Sequence, residues 1–275
     1  MGKITSLLPL LESVKNPVLG LDAYGVIYNN KGFFDSMPAV FDYCKVNSIP
    51  IMMLTNNATQ SINIIYNKMM QFNLPVPKDH IVSSGCGLYE LPDLTSIVKN
   101  RSVFVYGYDS SKQYVIDAGG ICVDSPHHAD VIVMAASVGS KNHSVYRQVF
   151  LALSDNPNCP VICINPDHYV YNSDGFMRVM GFYAHTLAKQ LNRNDFIWMG
   201  KPFNTFSDLV KRRLNQLNYN PSQLIFCDDN PINIHRLTHD LGCQGVVITG
   251  TGIFNKVPID DETLQSLTKL SKCKI

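Results

Sequence analysis

The sequence predicts an α/β protein built around parallel β-sheets. Short apolar runs alternate with segments in which apolar residues recur at helical spacing, a pattern typical of strands joined by crossover helices. With 275 residues, of which 45% are hydrophobic, the chain is long enough to bury a large core in one or two domains. Polar residues directly follow several of the predicted strands, which is where ligands bind in parallel sheets.

The N-terminal part predicts a β-α-β-α unit. The buried run PVLGLD at 17–22 predicts the first strand, and IPIMMLT at 49–55 predicts the second. Helices are predicted at about 34–47 and 59–72, because apolar residues in each segment are spaced to share one face.

The same alternation continues through the rest of the chain. Further strands are predicted, in chain order, at 103–108, 129–136, 160–165, 196–200, 224–229 and 245–250. Helices are predicted at about 111–118, 143–154, 179–191 and 203–217, and a polar C-terminal helix at 260–272.

Composition and charge exclude several classes of protein. The net charge is only +1, from 23 basic and 22 acidic residues, which argues against a nucleic-acid-binding protein. No apolar run reaches the ~18 residues that a membrane span needs, and the N-terminus does not read as a secretory signal. The eight cysteines are scattered without a CxxC pair, as expected for buried thiols in a reducing compartment. We therefore expect a cytoplasmic protein that binds neither nucleic acid nor membrane.

Two polar motifs follow the first two predicted strands. Asp22 ends the first, and its carboxylate can either attack phosphorus to form an aspartyl phosphate or cap a turn. Thr55 ends the second, in MLTNNATQS. Its hydroxyl, with the backbone N–H groups of Asn56 and Asn57, can bind phosphate oxygens at a helix N-terminus, or the segment simply caps that helix.

Two further motifs lie nearer the C-terminus. Lys201, in MGKPFNTF, is either a solvated surface residue or a fixed cation that neutralises charge on a nucleophile and a phosphoryl group. Asp228 and Asp229 follow the apolar run LIFC, where two carboxylates are costly to bury unless a cation or donor meets them. Mg²⁺ prefers such hard oxygen ligands, so Asp22 and these acids together indicate a magnesium site, although the acids can also cap a turn.

The order of these motifs, Asp, TNN, GKP and DD, resembles the haloacid dehalogenase (HAD) superfamily. It is most similar to the class IIA phosphatases, in which the second motif reads TNN, the third GKP and the fourth VGDxxxxDI. Here the fourth motif is matched by Phe226-Cys227-Asp228 through Asn233-Ile234. The INPD run that begins at Ile164 is also reminiscent of this class. The resemblance implies a Mg²⁺-dependent phosphatase for a small phosphorylated metabolite.

The resemblance also implies an architecture and a set of site residues. We expect a three-layer, Rossmann-like core at 1–84 and 198–275, with an inserted α/β cap of the C2 type at 85–197 that forms a homodimer contact. The implied catalytic residues are Asp22, Tyr24, Thr55 and Lys201. The implied metal ligands are Asp22, the backbone carbonyl of Tyr24, Asp228, Asp229 and Asn233. The implied substrate-binding residues are Asn56, Asn57 and, in the cap segment 164–176, Asn165, Asp167 and His168. That segment is predicted to be a loop, which either contacts substrate or is a turn bonded within itself.

The first motif departs from the family pattern DxDGV, because Tyr24 replaces its second Asp. That Asp normally protonates the leaving group and later activates water, whereas Tyr, with an ordinary pKa near 10, is a poor base. Losing this help typically costs roughly 10²–10⁴ in rate. Three interpretations stay open. In the first, the protein is a phosphatase whose substrates have good leaving groups, or whose acid is supplied by the substrate or the cap. In the second, it is a 2-haloacid dehalogenase, a family in which Tyr fills this position. In the third, it is a catalytically weak or inactive binding or regulatory protein.

Overall fold

The computed structural model describes residues 7–172, 175–249 and 271–273. In chain order the strands are β1 (Val18–Leu21), β2 (Tyr28–Asn29), β3 (Gly32–Phe33), β4 (Ile51–Thr55), β5 (Ile81–Ser83), β6 (Ser102–Tyr106), β7 (Ile121–Val123), β8 (Val131–Met134), β9 (Val161–Cys163), β10 (Tyr169–Asn172), β11 (Gly175–Arg178), β12 (Ile197–Trp198), β13 (Leu224–Asp228), β14 (Gln244–Ile248) and β15 (Ser271–Cys273). The helices are α1 (Leu8–Ser13), α2 (Met37–Val46), α3 (Ile62–Gln71), α4 (Gly87–Glu90), α5 (Pro92–Val98), α6 (Lys112–Asp117), α7 (Asn142–Asp155), α8 (Met180–Gln190), α9 (Asn204–Gln216) and α10 (Pro231–Leu241). None of these helices is long and apolar enough to cross a membrane.

The first sheet has the strand order β15-β14-β13-β1-β4-β5, and its strand pairs are all parallel. Strand β1 lies between β13 and β4, with Val18 opposite Leu224 and Leu19 opposite Ile51. Gly20 lets these strands pack closely, because a Cβ there would lie 2.8 Å from Leu224 Cδ1. The carboxyl ends of three neighbouring strands therefore meet at one edge of the sheet.

The second sheet is also parallel, with the order β12-β9-β8-β6-β7. One buried apolar cluster extends through both sheets and includes Met52 and Phe226 from the first and Val103 and Val133 from the second. The inserted sheet is therefore packed on the first through a shared apolar core. Two antiparallel hairpins, β2–β3 and β10–β11, complete the described β-structure.

The expected parallel α/β architecture is confirmed, and the predicted strands and helices within the described residues are present with boundaries that differ by a few residues. The loop predicted at 164–176 is wrong, because its described part contains the antiparallel hairpin β10–β11. Its alternating aromatic and β-branched residues, beginning at Tyr169, favour a strand. The predicted C-terminal helix lies outside the described residues up to 270, and 271–273 form strand β15. The division at residues 85 and 198 stays a prediction.

Candidate functional site

The predicted strand-end residues meet at the carboxyl edge of the first sheet. Asp22 directly follows β1, and its backbone N–H donates to the carbonyl of Cys227 on β13 at 2.9 Å. Thr55 is the last residue of β4, and Asp228 is the last residue of β13. Parallel pairing of these three strands brings the side chains to one place, as expected for a site in a parallel sheet.

Lys201 joins these residues as a buried cation. Its ammonium Nζ donates to Asp22 Oδ1 at 2.7 Å, to Asp228 Oδ2 at 2.7 Å and to the carbonyl of Leu54 at 2.9 Å. The residue is only 2% exposed. Burial disfavours the charged form of Lys201, but the two carboxylates outweigh this and raise its pKa above its ordinary value. The alternative of a solvated surface lysine is wrong.

Lys201 contacts two members of a cluster of three carboxylates. One oxygen from each of Asp22, Asp228 and Asp229 lies within 4.8 Å of the others. Asp228 is fully buried and accepts hydrogen bonds from the backbone N–H of Asn230 at 2.7 Å and from Asn233 Nδ2 at 3.2 Å. With all three acids ionised, one ammonium leaves a local charge of −2 at the carboxyl edge.

Burial has the largest effect on the pKa of Asp22. It raises the pKa of this carboxyl, while the nearby ammonium of Lys201 opposes that rise by stabilising the carboxylate. Asp229 packs against Gly25, where a Cβ would lie 2.6 Å from the Asp229 carboxyl carbon. Gly25 also has φ +93°, so this position requires glycine for both space and conformation.

The TNN segment holds the site together through its own side chains. Asn56 Oδ1 accepts the backbone N–H of Lys201 at 2.7 Å, and Asn56 Nδ2 donates to the carbonyl of Lys201 at 2.9 Å. The Thr55 hydroxyl accepts the backbone N–H of Asn57 at 3.1 Å. Asn56 therefore positions Lys201, whereas its predicted role was to bind substrate.

A cavity of about 370 Å³ opens above these groups. Residues predicted for the site that line it are Asp22, Tyr24, Thr55, Asn56, Asn57, Asn165, Asp167, Lys201, Asp229 and Asn233. Other lining residues, not predicted, are Tyr28, Thr59, Gln60, Lys68, Tyr169, Val170, Tyr171, Met177, Val179 and Asn230. Helical spacing on α3 and period-two alternation near Tyr169 were the signals that could have indicated part of the second set.

The structure does not bring every predicted residue to the cavity. His168 is exposed and is not one of the lining residues, and its ring lies 5.4 Å from that of His185. Asp228 does not line the cavity either, because it lies behind Lys201 and Asn233. Asn165 does line the cavity, and its Oδ1 is buried without a hydrogen-bond partner in the described part of the chain.

Tyr24 forms part of the cavity wall. Its ring packs edge-to-face on that of Tyr28, with the centroids 6.2 Å apart. Burial raises the pKa of Tyr24 above its ordinary value of 10.0, so the side chain is a neutral phenol at neutral pH. It cannot accept a proton in the way that the family's aspartate does.

Asp167 reaches the cavity from the segment after β9. Its Oδ1 accepts a hydrogen bond from Asn56 Nδ2 at 2.9 Å, so Asn56 connects this carboxyl to Lys201. The neighbouring Pro166 packs over Gly200, where a Cβ would lie 2.5 Å from the proline Cδ. The inserted domain thus contributes a carboxyl group to the site formed by the first sheet.

Comparison with known protein families finds a similarity in the N-terminal part of the chain. Residues 19–121 match the family model of haloacid dehalogenase-like hydrolases, a range that includes Asp22 and the TNN segment. Over this range the chain is similar to the HAD superfamily. A curated relative, an acid sugar phosphatase from Staphylococcus epidermidis, is 23% identical over 158 residues, which are 57% of this chain and 58% of the relative. The match thus spans less than two thirds of that relative.

Solved HAD structures show the same fold over nearly the whole chain. A protein described as a possible sugar phosphatase of the HAD superfamily, from Cytophaga hutchinsonii, superposes with a TM-score of 0.80 at 19% identity, covering 99% of this chain and 98% of that one. A p-nitrophenyl phosphatase from Archaeoglobus fulgidus gives 0.72 at 20% identity, covering 93% and 94%. A glycerol phosphate phosphatase from Mycobacterium tuberculosis, solved in complex with magnesium, gives 0.71 at 14% identity, covering 86% and 69%. The expected fold, a Rossmann-like α/β core with parallel sheets and an inserted cap as in these structures, is therefore confirmed.

Proposed function

We propose that this HAD protein is a Mg²⁺-dependent phosphatase that hydrolyses a small phosphorylated metabolite through an aspartyl phosphate on Asp22. The observation that carries the proposal is the position of the Lys201 ammonium, 2.7 Å from both Asp22 and Asp228 and inside a cluster of three carboxylates. A cytoplasmic location and a homodimer formed through the cap belong to the same proposal. So does the absence of nucleic-acid and membrane partners.

The carboxylate cluster fits a magnesium ion. Its donors are hard oxygens, and its local charge of −2 is the charge that one divalent cation neutralises. Asn233 Oδ1 is buried and has no hydrogen-bond partner among the described residues, so it is a free oxygen beside the cluster. Asp22, Asp228 and Asp229 would hold Mg²⁺, with the Tyr24 carbonyl and Asn233 as further ligands. The ion would supply positive charge to the phosphoryl oxygens.

The residues of the chain account for the remaining chemistry. A carboxylate oxygen of Asp22 attacks phosphorus, and the bond from phosphorus to the leaving oxygen breaks. Lys201 fixes the orientation of Asp22 and offsets the negative charge that develops on the phosphoryl group. Water then attacks phosphorus, and the bond to Asp22 breaks to release phosphate and restore the carboxylate. Thr55 and Asn57 line the cavity next to this carboxylate and are the proposed contacts for phosphate oxygens.

The substrate class follows from the cavity and from the relatives. The cavity of about 370 Å³ has room for a small phosphate ester, with aromatic residues and the cation of Lys68 in its wall. The names of the relatives, sugar, nitrophenyl and glycerol phosphate phosphatases, support small phosphate monoesters. We include sugar phosphates in the first set of substrates to be tested.

Hydrolysis of p-nitrophenyl phosphate tests the proposal. We expect turnover that requires Mg²⁺, that EDTA abolishes, and that Asp22→Asn reduces to the background rate. The control is Asp42→Asn, because Asp42 lies on the exposed face of α2 and should leave turnover unchanged. Metal-independent halide release from a 2-haloacid would instead indicate a dehalogenase. Ligand binding without any turnover would indicate the inactive binding protein, and either result would overturn the phosphatase.

A further inference from the structure

We propose that Asp167, on the inserted cap, is the general acid and base that replaces the missing aspartate of the first motif. This inference rests on the proposed phosphatase function and adds the residue that moves the proton. The family position is occupied by Tyr24, whose phenol cannot take a proton from water near neutral pH. An alcohol leaving group nevertheless has to receive a proton, so a phosphatase with this site needs another donor.

Asp167 is the remaining carboxyl in the cavity wall. Three acids line the cavity in the described part of the chain: Asp22, Asp229 and Asp167. The first two belong to the cluster that fits the metal, whereas Asp167 lies outside that cluster. It is close enough to Asp22 that its negative charge raises the pKa of the nucleophile. Asp167 therefore faces the same space without being a metal ligand.

Hydrogen bonds fix Asp167 relative to the nucleophile. Asn56 Nδ2 donates to Asp167 Oδ1 at 2.9 Å, and Asn56 is bonded at both ends of its amide to the backbone of Lys201. Lys201 in turn holds Asp22 at 2.7 Å. On the cap side, the backbone N–H of Gly181 donates to the Asp167 carbonyl at 2.9 Å. A general acid held by contacts on both sides keeps a defined geometry.

The environment of Asp167 favours a carboxyl that exchanges its proton near neutrality. Burial raises its pKa to about 6, against the opposing effects of the Asn56 hydrogen bond and the Lys201 charge. The other titratable groups that face it are the carboxyls of Asp228 and Asp22 and the thiol of Cys163. A general acid–base catalyst works best when its pKa lies near the working pH.

The proton balance is complete with residues of this chain. Asp22 attacks phosphorus while Asp167, in its carboxylic acid form, gives its proton to the leaving oxygen, which departs as the neutral alcohol. The resulting Asp167 carboxylate then takes a proton from the water that attacks the phosphorus of the aspartyl phosphate. The bond from phosphorus to Asp22 breaks with its electron pair on the Asp22 oxygen, and Asp167 is again protonated.

The test compares leaving groups in kcat/KM, which covers the steps up to departure of the alcohol. We expect Asp167→Asn to lower kcat/KM for an alkyl phosphate by roughly 10²–10⁴, because the alkoxide needs the proton. For p-nitrophenyl phosphate, whose leaving group departs without a proton, the loss should stay below about tenfold. The control is Asp124→Asn, a fully exposed cap residue, which should leave both values unchanged.

A rescue experiment separates proton transfer from positioning. In Asp167→Asn, the additional change Tyr24→Asp places an acid at the family position and should restore most of the lost activity on the alkyl phosphate. Equal losses of kcat/KM on both substrates, or no rescue by Tyr24→Asp, would overturn the role of Asp167 while leaving the phosphatase intact. Absence of Asp22-dependent hydrolysis of p-nitrophenyl phosphate in the unsubstituted protein would instead remove the proposed function itself.

Discussion

Replacing Lys201 by Met should reveal how strongly the carboxylate cluster depends on its one buried cation. Methionine has a similar length and no charge, so the change removes the ammonium without opening a large cavity. It leaves Asp22 and Asp228 without the partner that each has at 2.7 Å. Three carboxylates then lie within 4.8 Å of one another with a local charge of −3.

The expected cost can be worked out in two ways. Removing one partner of a buried ion pair typically destabilises a protein by about 3–5 kcal/mol. Alternatively, the cluster can relieve its repulsion by protonating one aspartate. From an ordinary pKa of 3.8 this costs about 4 kcal/mol near pH 7, since each pH unit is worth about 1.4 kcal/mol. Because burial already raises the pKa of Asp22 to about 7 in the unsubstituted protein, the second route is an upper limit, and we expect Lys201→Met to lose about 3–4 kcal/mol of unfolding free energy.

The second route also fixes the pH dependence. The aspartate that protonates in the folded variant has a raised pKa, so its contribution to stability is present below the unfolded pKa and is lost as the pH rises. Burial already raises the pKa of Asp22 to about 7 in the unsubstituted protein, so the deficit of Lys201→Met should shrink, by up to about 1.4 kcal/mol for each pH unit, as the pH falls toward 7 and should change little below it. Added Mg²⁺ should also reduce the deficit, because a divalent cation restores positive charge to the cluster.

Urea unfolding at about pH 7 and pH 9, with and without Mg²⁺, measures these quantities. Lys112→Met serves as the matched control, because Lys112 pairs with the exposed Asp109 at 2.9 Å on the protein surface. Such a pair contributes less than about 1 kcal/mol. A deficit in Lys201→Met no larger than in this control, or one that does not diminish from about pH 9 to about pH 7, would refute the account of the buried cation.

Three further outcomes follow from individual contacts. Gly25→Ala should weaken Mg²⁺ binding measured by calorimetry, because the new Cβ displaces Asp229. The control, Gly32→Ala, has φ +133° and no neighbouring atom within 4 Å of the new Cβ, so it should only destabilise the fold. Equal Mg²⁺ affinities of the two variants would contradict this. Asp167→Asn should gain stability relative to the unsubstituted protein as the pH rises from about 4 to 7. The raised pKa of about 6 means that Asp167 stabilises the folded state below its unfolded value of 3.8 and loses that contribution as it ionises, and urea unfolding that shows no such trend would exclude it. Lys68→Met should raise KM, with little change in kcat, for a phosphate ester that carries a second negative group. The reason is that Lys68 lines the cavity, with its ammonium 3.8 Å from the centre of the Tyr28 ring. A change in kcat alone would argue against this placement.

The strand-end residues could be predicted because their position depends on the pattern of the whole fold. Parallel strands place their carboxyl ends at one edge, so Asp22, Thr55 and Asp228 had to lie together once the strands were recognised. The alternation of apolar runs and helical segments was strong enough to locate those strands. The strand pattern did not place Lys201. Its position near Asp22 could be predicted only from the resemblance to the HAD family.

The remainder depended on contacts between distant parts of the chain. The two hydrogen bonds between Asn56 and the backbone of Lys201, and the hydrogen bond from Asn56 to Asp167, join residues more than 100 positions apart, and no local pattern encodes them. His168 was predicted for the site beside Asp167, but neighbouring residues of an extended segment point to opposite sides, and its ring packs against that of His185. The segment that forms hairpin β10–β11 was predicted to be a loop, because Asn and Asp residues are typical of turns.

The cavity wall formed by Tyr169, Val170 and Met177 has a practical consequence for protein engineering. These side chains belong to a hairpin whose backbone pairs only within itself in the described sheets, while Asp22 and Asp228 lie at strand ends of the first sheet and Lys201 is hydrogen-bonded to both. If the proposed phosphatase activity holds, a library that varies the two strands of this hairpin should alter which ester is accepted and leave Asp22, Asp228 and Lys201 in place. Selection among small esters becomes a separate, exchangeable module of about eight positions.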